Sequence, residues 1–598
     1  MQLCRFEIAD CPPEDVQRLR SRLGVSGALA QVLVRRGLGD PEHARAFLAG
    51  DETHPASAFA GIELAVEPIL RHVREGGLIT IHGDYDVDGV CSTAVLVRTL
   101  RRLGANVDSY LPDRAADGYG LRGHTVRMLA ARGTRLLVSA DCAITAVEEV
   151  EEALSLGMEV VVSDHHSPRA DGLLPRAPIV HPALCGYPCR ELCATAVAHK
   201  LAEALLEQAQ ASGLAAPASL AEAREALRGD LDLVALATVA DVVALTGENR
   251  SLLRRGLRAL ASTAKPGLRA LMQVARVDPA RVDERSIAFA LAPRLNAAGR
   301  LYRADAGLEL ILTEDPLRAA QVAQELDRAN SERRQVELGI RYEAEAQMDA
   351  LGERAAYVLA GEGWHAGVIG IVASRLVERS GRPVVLVALD GHSGRGSGRS
   401  VEGYDLLAGL TACSPHLAAY GGHSAAAGLE IERSMLAGFS AALCEHAEAL
   451  LGGEAPLPVE RVDAVVAGQE LGMALAEELA RLAPFGRGNP TVSLMVAPAT
   501  FSDPRAMGEG RHVRFTVESG GARARAVAFG MGARLPVEEG RPAQASFTLE
   551  VNEWNGVSEP RLVLRRAQPV PEAPPPADLP GEILPDGAQE ELVLFALP

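Results

Sequence analysis

Two clusters of carboxylate and imidazole side chains in this sequence each follow a short apolar segment typical of a β-strand. Residues 82–88 read His-Gly-Asp-Tyr-Asp-Val-Asp after the segment 78–81, and residues 163–166 read Ser-Asp-His-His after 160–162. In open α/β sheets, ligands bind just beyond the carboxyl ends of the strands. Carboxylates and imidazoles together suit divalent metals such as Mn²⁺, and two clustered ions stabilise the attacking and leaving oxygens of phosphoryl hydrolysis. The clusters therefore predict a metal centre for phosphate chemistry.

Further candidates stand at comparable positions along the chain. Asp141 ends the segment 135–140, and Asp241 follows the apolar segment 232–240. A lone acid after a strand is more often a helix cap, but several acids in one array of strands favour a shared site. Far downstream, the segment Gly421-Gly422-His423 adds an imidazole next to glycines that let the backbone approach a ligand closely.

The elements that must position these residues are predicted by hydrophobic patterning. Between residues 56 and 250, strand-like segments at 78–81, 107–111, 136–138, 160–162 and 179–180 alternate with helical ones. Such alternation predicts a parallel, doubly wound sheet, so the strand ends that carry the acids should share one edge.

The rest of the chain predicts an α/β protein with a third, β-rich domain. The fold class is two α/β domains joined by a long helix, followed by a C-terminal β-barrel of the OB type, built from five short strands. Ser397 and Arg399 fall in what reads as a glycine-flanked loop of the second domain. The predicted divisions are an N-terminal helical segment (1–55), the first α/β domain (56–315), a connecting helix (316–350), the second α/β domain (351–451), the barrel (459–567) and an acidic, Pro-rich, disordered tail (568–598).

Composition limits the class of protein. The 598 residues are 48% hydrophobic, and no apolar run is long enough to span a membrane, so we expect no membrane association. Nine scattered cysteines and the lack of a signal peptide indicate the cytoplasm. The net charge of −18 argues against a passive nucleic-acid coat. It does not exclude an enzyme acting on nucleic acid, because metal ions supply local positive charge.

An ordered set of motifs resembles the RecJ family of single-strand-specific 5′→3′ DNA exonucleases, within the DHH phosphoesterase superfamily. The resemblance covers residues 30–565, nearly the whole chain. It is carried by the motifs at 82–89, 111–114, 118–121, 163–166, 232–243, 247–250, 293–300, 364–375, 396–400, 421–423 and 482–490. The first and second α/β domains then correspond to DHH and DHHA1 domains.

The resemblance implies two divalent ions, Mn²⁺ or Mg²⁺. Asp86 and Asp141 would hold one ion, together with either His82 or Asp84. The second ion would be held by a set that shares Asp141 as the bridge: Asp88, Asp141, His165 and Asp241. His166 would contact phosphate or orient a ligand, and His423 would touch the scissile region.

The resemblance also implies how the substrate is read. The 5′-terminal phosphate would lie against Arg114, Arg300, Ser397 and Arg399, because arginine binds phosphate through two parallel hydrogen bonds. The substrate would be single-stranded DNA in repair and recombination, with a single-strand-binding protein and a repair helicase as candidate partners.

Two alternatives stay open on the sequence. One is another DHH phosphodiesterase that acts on oligoribonucleotides or small nucleotides, and the other is a DNA-binding scaffold without activity. Two motifs also depart from the family: Asp141-Cys142-Ala143 stands where Asp-Asn-Gly is usual, and residues 194–197 lack the usual glycines. The turn after Asp141 is therefore expected to differ, and the second departure to affect local packing.

Overall fold

The chain divides into two units that are interleaved in sequence. The computed structural model describes residues 4–113, 118–301, 303, 305–452, 457–554 and 556–570, without the side chains of residues 298, 300, 301 and 554. The larger unit comprises residues 10–458 and 478–491, and the smaller comprises 1–9, 459–477 and 492–598. Among the described residues, no helix is both long and apolar enough to cross a membrane.

The N-terminal segment, which the sequence predicted to be helical, begins with a strand. This first described element, Arg5–Glu7 (β1), pairs in parallel with Val459–Arg461 in the smaller unit. Three helices follow in the larger unit: Pro13–Leu23 (α1), Gly27–Arg35 (α2) and Pro41–Ala49 (α3).

The first α/β domain is built on a five-stranded parallel sheet, as predicted. Its strands are Ile79–His82 (β2), Val107–Tyr110 (β3), Leu136–Ser139 (β4), Glu159–Ser163 (β5) and Ile179–Val180 (β6). They lie in the order β3-β2-β4-β5-β6, and β2 and β4 are buried along their whole length. Helices cover both faces of such a sheet, which is why these strands are continuous apolar runs. The surrounding helices are Ile62–Glu75 (α4), Val87–Arg102 (α5), Gly123–Ala131 (α6), Val147–Ser155 (α7) and Ala194–Ala211 (α8).

A helical layer completes this domain and leads to the second. The helical region before residue 312 is broken, and it contains a π-helical stretch at Ile287–Leu291. The helices are Pro217–Gly229 (α9), Leu231–Ala240 (α10), Gly247–Ala261 (α11), Pro266–Ala275 (α12), Glu284–Ser286 (α13), Ala292–Leu301 (α14) and Ala306–Leu312 (α15).

The predicted connecting helix is the longest element. It runs over Pro316–Leu351 (α16), 36 residues, and Asp315 caps its start by accepting a hydrogen bond from the Leu317 N–H at 2.9 Å. Its buried positions recur every three or four residues, so one face packs while the other stays charged and solvated.

Both lysines of the chain are buried in the first domain. Lys200 Nζ lies 3.0 Å from Glu248 Oε1, and Lys265 Nζ lies 2.8 Å from Asp232 Oδ1. Only 4% and 7% of these two lysines are exposed. All other basic side chains of the sequence, apart from histidine, are arginines.

The second α/β domain holds a mixed five-stranded sheet in the order β10-β11-β9-β8-β7. The elements are Tyr357–Glu362 (β7), Ala366–Ser380 (α17), Val384–Asp390 (β8), Ser393–Arg399 (β9), Leu406–Ala412 (α18), Ala419–Gly422 (β10), Ala426–Glu432 (β11) and Leu436–Leu451 (α19). Ser397 and Arg399 therefore lie on a strand, where the sequence predicted a loop.

The reason for that error is an unusual strand. The residues of β9 that face the core are all glycines, Gly394, Gly396 and Gly398. A Cβ atom on Gly396 would lie 2.7 Å from Leu429, and one on Gly398 would lie 2.8 Å from Leu406. Neighbouring leucines fill the space that a side chain on this strand would need, so the period-2 pattern is present without its usual apolar residues.

The smaller unit contains the predicted OB-type barrel. Its elements are Val459–Arg461 (β12), Ala464–Val465 (β13), Leu494–Met507 (β14), His512–Ser519 (β15), Ala522–Ala528 (β16), Ala543–Trp554 (β17) and Val557–Pro569 (β18). Five strands lie in the order β14-β15-β16-β18-β17, and β17 also pairs with β14, which closes the barrel. The helix Met473–Ala480 (α20) precedes the barrel strands, and most of the predicted tail, residues 571–598, lies outside the described residues.

Candidate metal centre and phosphate pocket

Three parallel strands that are neighbours in the sheet end at the candidate metal residues. Strands β2, β4 and β5 lie side by side, so residues 84–88, Asp141 and residues 164–166 meet at one edge. Asp241 joins them from the end of α10, where it is the residue that follows the last helical turn. The close approach of the first loop to α5 requires glycine, since a Cβ on Gly89 would lie 2.5 Å from the backbone of Asp84.

His165 lies at the centre of this edge. Its Nε2 atom is 3.3 Å from Asp141 Oδ1, 3.7 Å from Asp88 Oδ2 and 3.7 Å from Asp241 Oδ2. A single imidazole nitrogen thus faces three carboxylates from three different elements.

Among the residues that the structure describes, potential ligand atoms form three overlapping groups, each within 4.8 Å, and Asp141 belongs to two of them. The groups are Asp84, Asp86 and Asp141; Asp88, His165 and Asp241; and Asp141, His165 and His166. His82, which the sequence offered as an alternative to Asp84, is in none of the three. Its Nδ1 atom lies 3.5 Å from Cys142 Sγ in the buried strand end.

Asp88 is held by distant residues that sequence reasoning missed. Its carboxylate accepts hydrogen bonds from the backbone N–H groups of Ala194 and Thr195, both at 2.7 Å, and from Thr195 Oγ1 at 2.6 Å. These donors are the first turn of α8, whose own N-cap residue, Cys193, makes no side-chain capping bond. Residues 194–195, where the family's usual glycines are absent, therefore orient a candidate ligand, because helix N-termini favour negative charge.

Asp164 orients the two histidines that follow it. One carboxylate oxygen accepts the backbone N–H of His165 at 2.7 Å and His166 Nδ1 at 2.8 Å, and the other accepts the N–H of Ile144 at 2.9 Å. Burial opposes ionisation of Asp164, but the hydrogen bonds from His166 and Ile144 outweigh it and lower the pKa of this carboxyl. Burial opposes protonation of His166 as well, yet Asp164 raises the pKa of its imidazole to about 9.

Tyr119, from the motif at 118–121, contacts a histidine of the site in a way that the sequence did not predict. Its hydroxyl lies 3.2 Å from His166 Nδ1 and 3.4 Å from the carbonyl oxygen of Asp141, and its ring meets His166 edge-on. The glycines on either side of Tyr119 in the sequence signalled a special turn, but not the direction of the hydroxyl.

The electrostatics of the cluster call for a cation. Burial, and then the neighbouring carboxylates, raise the pKa of Asp141 well above its usual range and that of Asp241 to about 8. Burial lowers the pKa of His165, so its imidazole is neutral and able to bind metal. Although Asp141 Oδ1 and His165 Nε2 are only 3.3 Å apart, neither makes a hydrogen bond to any described residue. These buried, unsatisfied atoms and their donor types fit divalent metal binding.

The turn after Asp141 keeps a glycine-like shape without glycine. Asp141 has φ +72° and Ala143 has φ +82°, both in the left-handed region. That conformation costs a residue with a Cβ atom about 1–2 kcal/mol. Ala143 thus occupies the left-handed conformation that glycine favours, and the expected difference of this loop from the family's stays a prediction.

The predicted phosphate-binding residues of the second domain line a cavity of about 500 Å³. Arg399 Nη1 donates to Ser397 Oγ at 3.1 Å, so the two side chains lie together on β9. The cavity wall on α17 includes Gly370, and a Cβ atom there would lie 2.9 Å from both Ser397 Oγ and Arg399 Nη2. Phe289 also lines the cavity and is 71% exposed.

Helix α14 links this cavity to the acidic cluster. Phe289 precedes α14, whereas Asn296, within it, accepts a hydrogen bond from the Val87 N–H at 3.1 Å, next to Asp86. The two residues are seven positions apart in one helical stretch, which is π-helical at Ile287–Leu291 and α-helical from Ala292.

The remaining predicted residues are not brought into this site by any described contact. Arg114 lies outside the described residues, and of Arg300 only the backbone, within α14, is described. His423 is exposed at the turn between β10 and β11, its N–H bonds the Ala426 carbonyl at 2.8 Å, and no described contact joins it to the acidic cluster.

Sequence comparison decides the family. The single-stranded-DNA-specific exonuclease RecJ of Bacillus subtilis (strain 168) is 35% identical over 572 residues, which cover 94% of this chain and 70% of that protein. RecJ of Escherichia coli (strain K12) is 36% identical over 545 residues, covering 86% of this chain and 92% of that protein. This chain belongs to the RecJ family.

Structural comparison agrees with the RecJ assignment. The crystal structure of RecJ in complex with Mn²⁺ from Thermus thermophilus matches with a TM-score of 0.81 and 30% identity, over 95% of this chain and 80% of that one. Family models match the DHH family N-terminal domain at residues 78–237, the DHHA1 domain at 352–449 and the RecJ OB domain at 462–566. The predicted family and fold class are confirmed.

Proposed function

We propose that this protein is a metal-dependent exonuclease that degrades single-stranded DNA from its 5′ end to mononucleotides, in DNA repair and recombination. Its RecJ relatives carry the name single-stranded-DNA-specific exonuclease. The observation that carries the proposal is the Asp141-centred cluster, in which acids and imidazoles from three adjacent strand ends converge.

Two divalent ions, Mn²⁺ or Mg²⁺, are the proposed cofactors, since the related RecJ structures from Thermus thermophilus are complexes with Mn²⁺ and with Mg²⁺. Asp84, Asp86 and Asp141 would hold one ion, and Asp88, His165, Asp241 and Asp141 the other. When bound, the ions would activate the attacking water and neutralise charge on the scissile phosphate. The choice of Asp84 over His82 rests on the grouping of its carboxylate with Asp86 and Asp141.

The protein's own residues would fix the geometry of this reaction. Asp164 holds His165 and His166 in place, and the first turn of α8 holds Asp88. His166, kept protonated by Asp164, faces the cluster and would donate a hydrogen bond to a phosphate oxygen. Tyr119 would position His166 through its hydroxyl.

The cavity on the second domain would determine that degradation starts at the 5′ end of the strand. Arg399 and Ser397 would bind the 5′-terminal phosphate there, with Arg114 and Arg300 as further candidates, and His423 would approach the scissile region from the β10–β11 turn. The helical stretch from Phe289 to Asn296 would connect the cavity to the acidic cluster.

The deciding experiment compares 5′-labelled and 3′-labelled oligonucleotides, with Mn²⁺, Mg²⁺ or EDTA. We expect mononucleotides to be released first from the 5′ label of single-stranded DNA, little cleavage of blunt duplex, and none with EDTA. Preferential cleavage of short oligoribonucleotides or cyclic dinucleotides would instead support the other phosphodiesterase class. Intact strands bound in every metal would support a scaffold.

The 5′-phosphate pocket has its own test. Arg399→Ala should raise KM for 5′-phosphorylated strands at least several-fold more than for 5′-hydroxyl strands, because only the former present the charge. Gly370→Ala should have the same selective effect, since its Cβ atom would displace Arg399 and Ser397. Equal effects on both substrates would argue against a terminal-phosphate pocket.

Location and partners extend the proposal. The nine cysteines are all free, which supports a reducing compartment such as the cytoplasm. A single-strand-binding protein and a repair helicase are the proposed partners, and co-purification on single-stranded DNA would test both.

A further inference from the structure

A second cavity adjoins the one that Ser397 and Arg399 line. Its volume is about 330 Å³, and Phe289 and Arg375 line both cavities. Its other walls come from the connecting helix α16 and from the first turn of α14. Small ligands bind in cavities of roughly 300–1,000 Å³, so the volume suffices for a small anionic group. The two cavities are therefore neighbours that share part of their walls.

Arginine dominates the lining of the second cavity. Of its eight lining residues, four are arginines and one is an acid, Glu337, which gives a net charge of +3. Three of the arginines are on α16 and the fourth is on α17: Arg333, Arg334, Arg341 and Arg375. Residues spaced three or four apart share one face of a helix, so positions 334, 337 and 341 present their side chains together. The composition of this lining favours an anion.

The single acid does not neutralise the cavity. Glu337 is buried and is shared by two arginines, since its Oε2 lies 3.1 Å from Arg333 Nη1 and its Oε1 lies 2.6 Å from Arg375 Nε. Burial lowers the pKa of Arg333, Glu337 opposes this, and the charges of Arg334 and Arg375 lower it further. Because these like charges repel one another, an anion bound among them would be stabilised.

Arg334 is the guanidinium that remains available to a ligand. It is exposed, and among the residues that the structure describes no hydrogen bond or ion pair involves its side chain. Arg341 does have a partner, Glu345 Oε1 at 2.8 Å, but this pair is partly exposed and contributes little. Phe289 and Leu338, both largely exposed, add apolar surface to the same lining. Such surface suits the sugar or base that accompanies a nucleotide phosphate.

We propose that the arginines of the second cavity bind a phosphate group beside the one that Ser397 and Arg399 hold. This inference rests on the proposed function, which places the 5′-terminal phosphate in the first cavity. Two sources present such a group: the outer phosphates of a strand that begins with a 5′-triphosphate, and the phosphate of a free 5′-mononucleotide, the product. Arginine suits both, because its guanidinium binds phosphate oxygens through two parallel hydrogen bonds.

Single-stranded substrates that differ only at the 5′ end test the first source, because their scissile bonds are the same. For the full-length protein with Mn²⁺, KM should be roughly tenfold lower for the 5′-triphosphorylated strand than for the 5′-monophosphorylated one, the effect of one charge-assisted contact. Arg334→Ala should bring this KM ratio close to one, and Arg334→Lys should keep part of the preference. Arg328→Ala is the matched control, since Arg328 is an exposed arginine of α16 that lines neither cavity.

Binding of the product tests the second source without turnover. Equilibrium dialysis of the full-length protein with Mn²⁺ and labelled deoxyadenosine 5′-monophosphate should show two bound molecules per chain, and Arg334→Ala should show one. A triphosphate preference with one bound mononucleotide assigns the second cavity to polyphosphorylated ends. Two bound mononucleotides without that preference assign it to the product. Either result supports the phosphate site if Arg334→Ala removes it and Arg328→Ala does not.

Other outcomes overturn the inference or the function on which it rests. A KM ratio near one together with a single bound mononucleotide would overturn the second site, and so would an effect that persists in Arg334→Ala or disappears equally in Arg328→Ala. If the wild-type protein releases no nucleotide from the 5′ end of the monophosphorylated strand, the proposed function fails instead. The number of bound mononucleotides then still decides whether the second cavity binds phosphate.

Discussion

At the scale of single residues, the site depends on a few buried atoms whose positions are set by their immediate neighbours. Asp141 Oδ1 and His165 Nε2 are buried 3.3 Å apart without hydrogen bonds to described residues, and Asp88 is fixed by three donors from α8. Substituting one of these residues should therefore affect metal binding more than it affects the stability of the fold.

The first prediction concerns Asp141. Asp141→Asn keeps the shape of the side chain but removes the charge that two ligand groups share. We expect exonuclease activity to fall by roughly 10³-fold, about 4 kcal/mol in activation free energy. Asp108→Asn, an exposed change on β3, is the control. Activity within tenfold of wild type, with unchanged Mn²⁺ stoichiometry, would contradict the bridging role.

The second prediction concerns Thr195, which is not itself a candidate ligand but holds Asp88 in place. Thr195→Val removes the 2.6 Å hydrogen bond to Asp88 and keeps the volume. Since partners that orient a ligand typically change metal affinity by 10–100-fold, we expect a loss in that range, measured by Mn²⁺ titration with EPR detection. Thr195→Ser should restore it. A matching loss in Thr195→Ser would mean that packing, not the hydroxyl, is responsible.

Residue types and spacing predicted most of the candidate ligands of this site but not the residues that hold those ligands in place. The acids and histidines were found because each follows a local strand pattern, and parallel strands bring their ends together. The hydrogen bonds from Ala194 and Thr195 to Asp88 were not, because they join positions 106 and 107 residues apart, and no local pattern encodes such a contact. The direction of the Tyr119 hydroxyl was missed for the same reason.

At the scale of elements, a helix or strand was predicted correctly where its own apolar residues face the core. The prediction failed where glycines face the core instead. The buried runs of β2 and β4 and the 36-residue α16 follow ordinary periodicities. Strand β9 does not, because its core face is glycine and the neighbouring Leu429 and Leu406 occupy the space. When the apolar side chains that pack on a strand come from neighbouring elements, the strand's own sequence lacks the alternating apolar pattern that would predict it.

The third prediction tests this packing. Gly396→Ala would place a Cβ atom 2.7 Å from Leu429, so we expect a loss of about 1–3 kcal/mol in the free energy of unfolding. Gly421→Ala on β10 is the matched control, because nothing lies within 4 Å of its Cβ position. Denaturant unfolding measures both. Gly396→Ala/Leu429→Ala should be less destabilised than the sum of the two single variants, and simple additivity would argue against a direct clash.

At the scale of the whole molecule, the chain passes between its two units four times, after residues 9, 458, 477 and 491. The predicted barrel range, 459–567, includes residues 478–491, which pack with the larger unit. Sequence patterning did not indicate this return of the chain, because it depends on contacts between distant positions such as Arg250 and Leu482.

The fourth prediction follows from this interleaving. A chain of residues 10–458 lacks the Leu482 and Arg481 carbonyl groups that Arg250 contacts and keeps only the Phe47 carbonyl, whereas residues 10–491 keep all three. Because two hydrogen bonds of Arg250 are lost, we expect the shorter chain to melt several degrees lower. Differential scanning calorimetry measures the difference. Arg250→Ala in the longer chain should remove most of it, and equal melting temperatures for the two truncations would refute a stabilising role of residues 478–491.

Both lysines of this protein are buried in ion pairs. Their burial determines which reagents can label the surface and how the surface charge changes at alkaline pH. Reagents that acylate amines would find no exposed lysine side chain, whereas dicarbonyl reagents selective for guanidinium would label the surface widely. An ammonium group loses its proton near pH 10.4, but a guanidinium does not below about pH 12.5. The exposed positive charge of this protein should therefore persist through a range of alkaline pH in which a lysine-rich surface would already have become neutral.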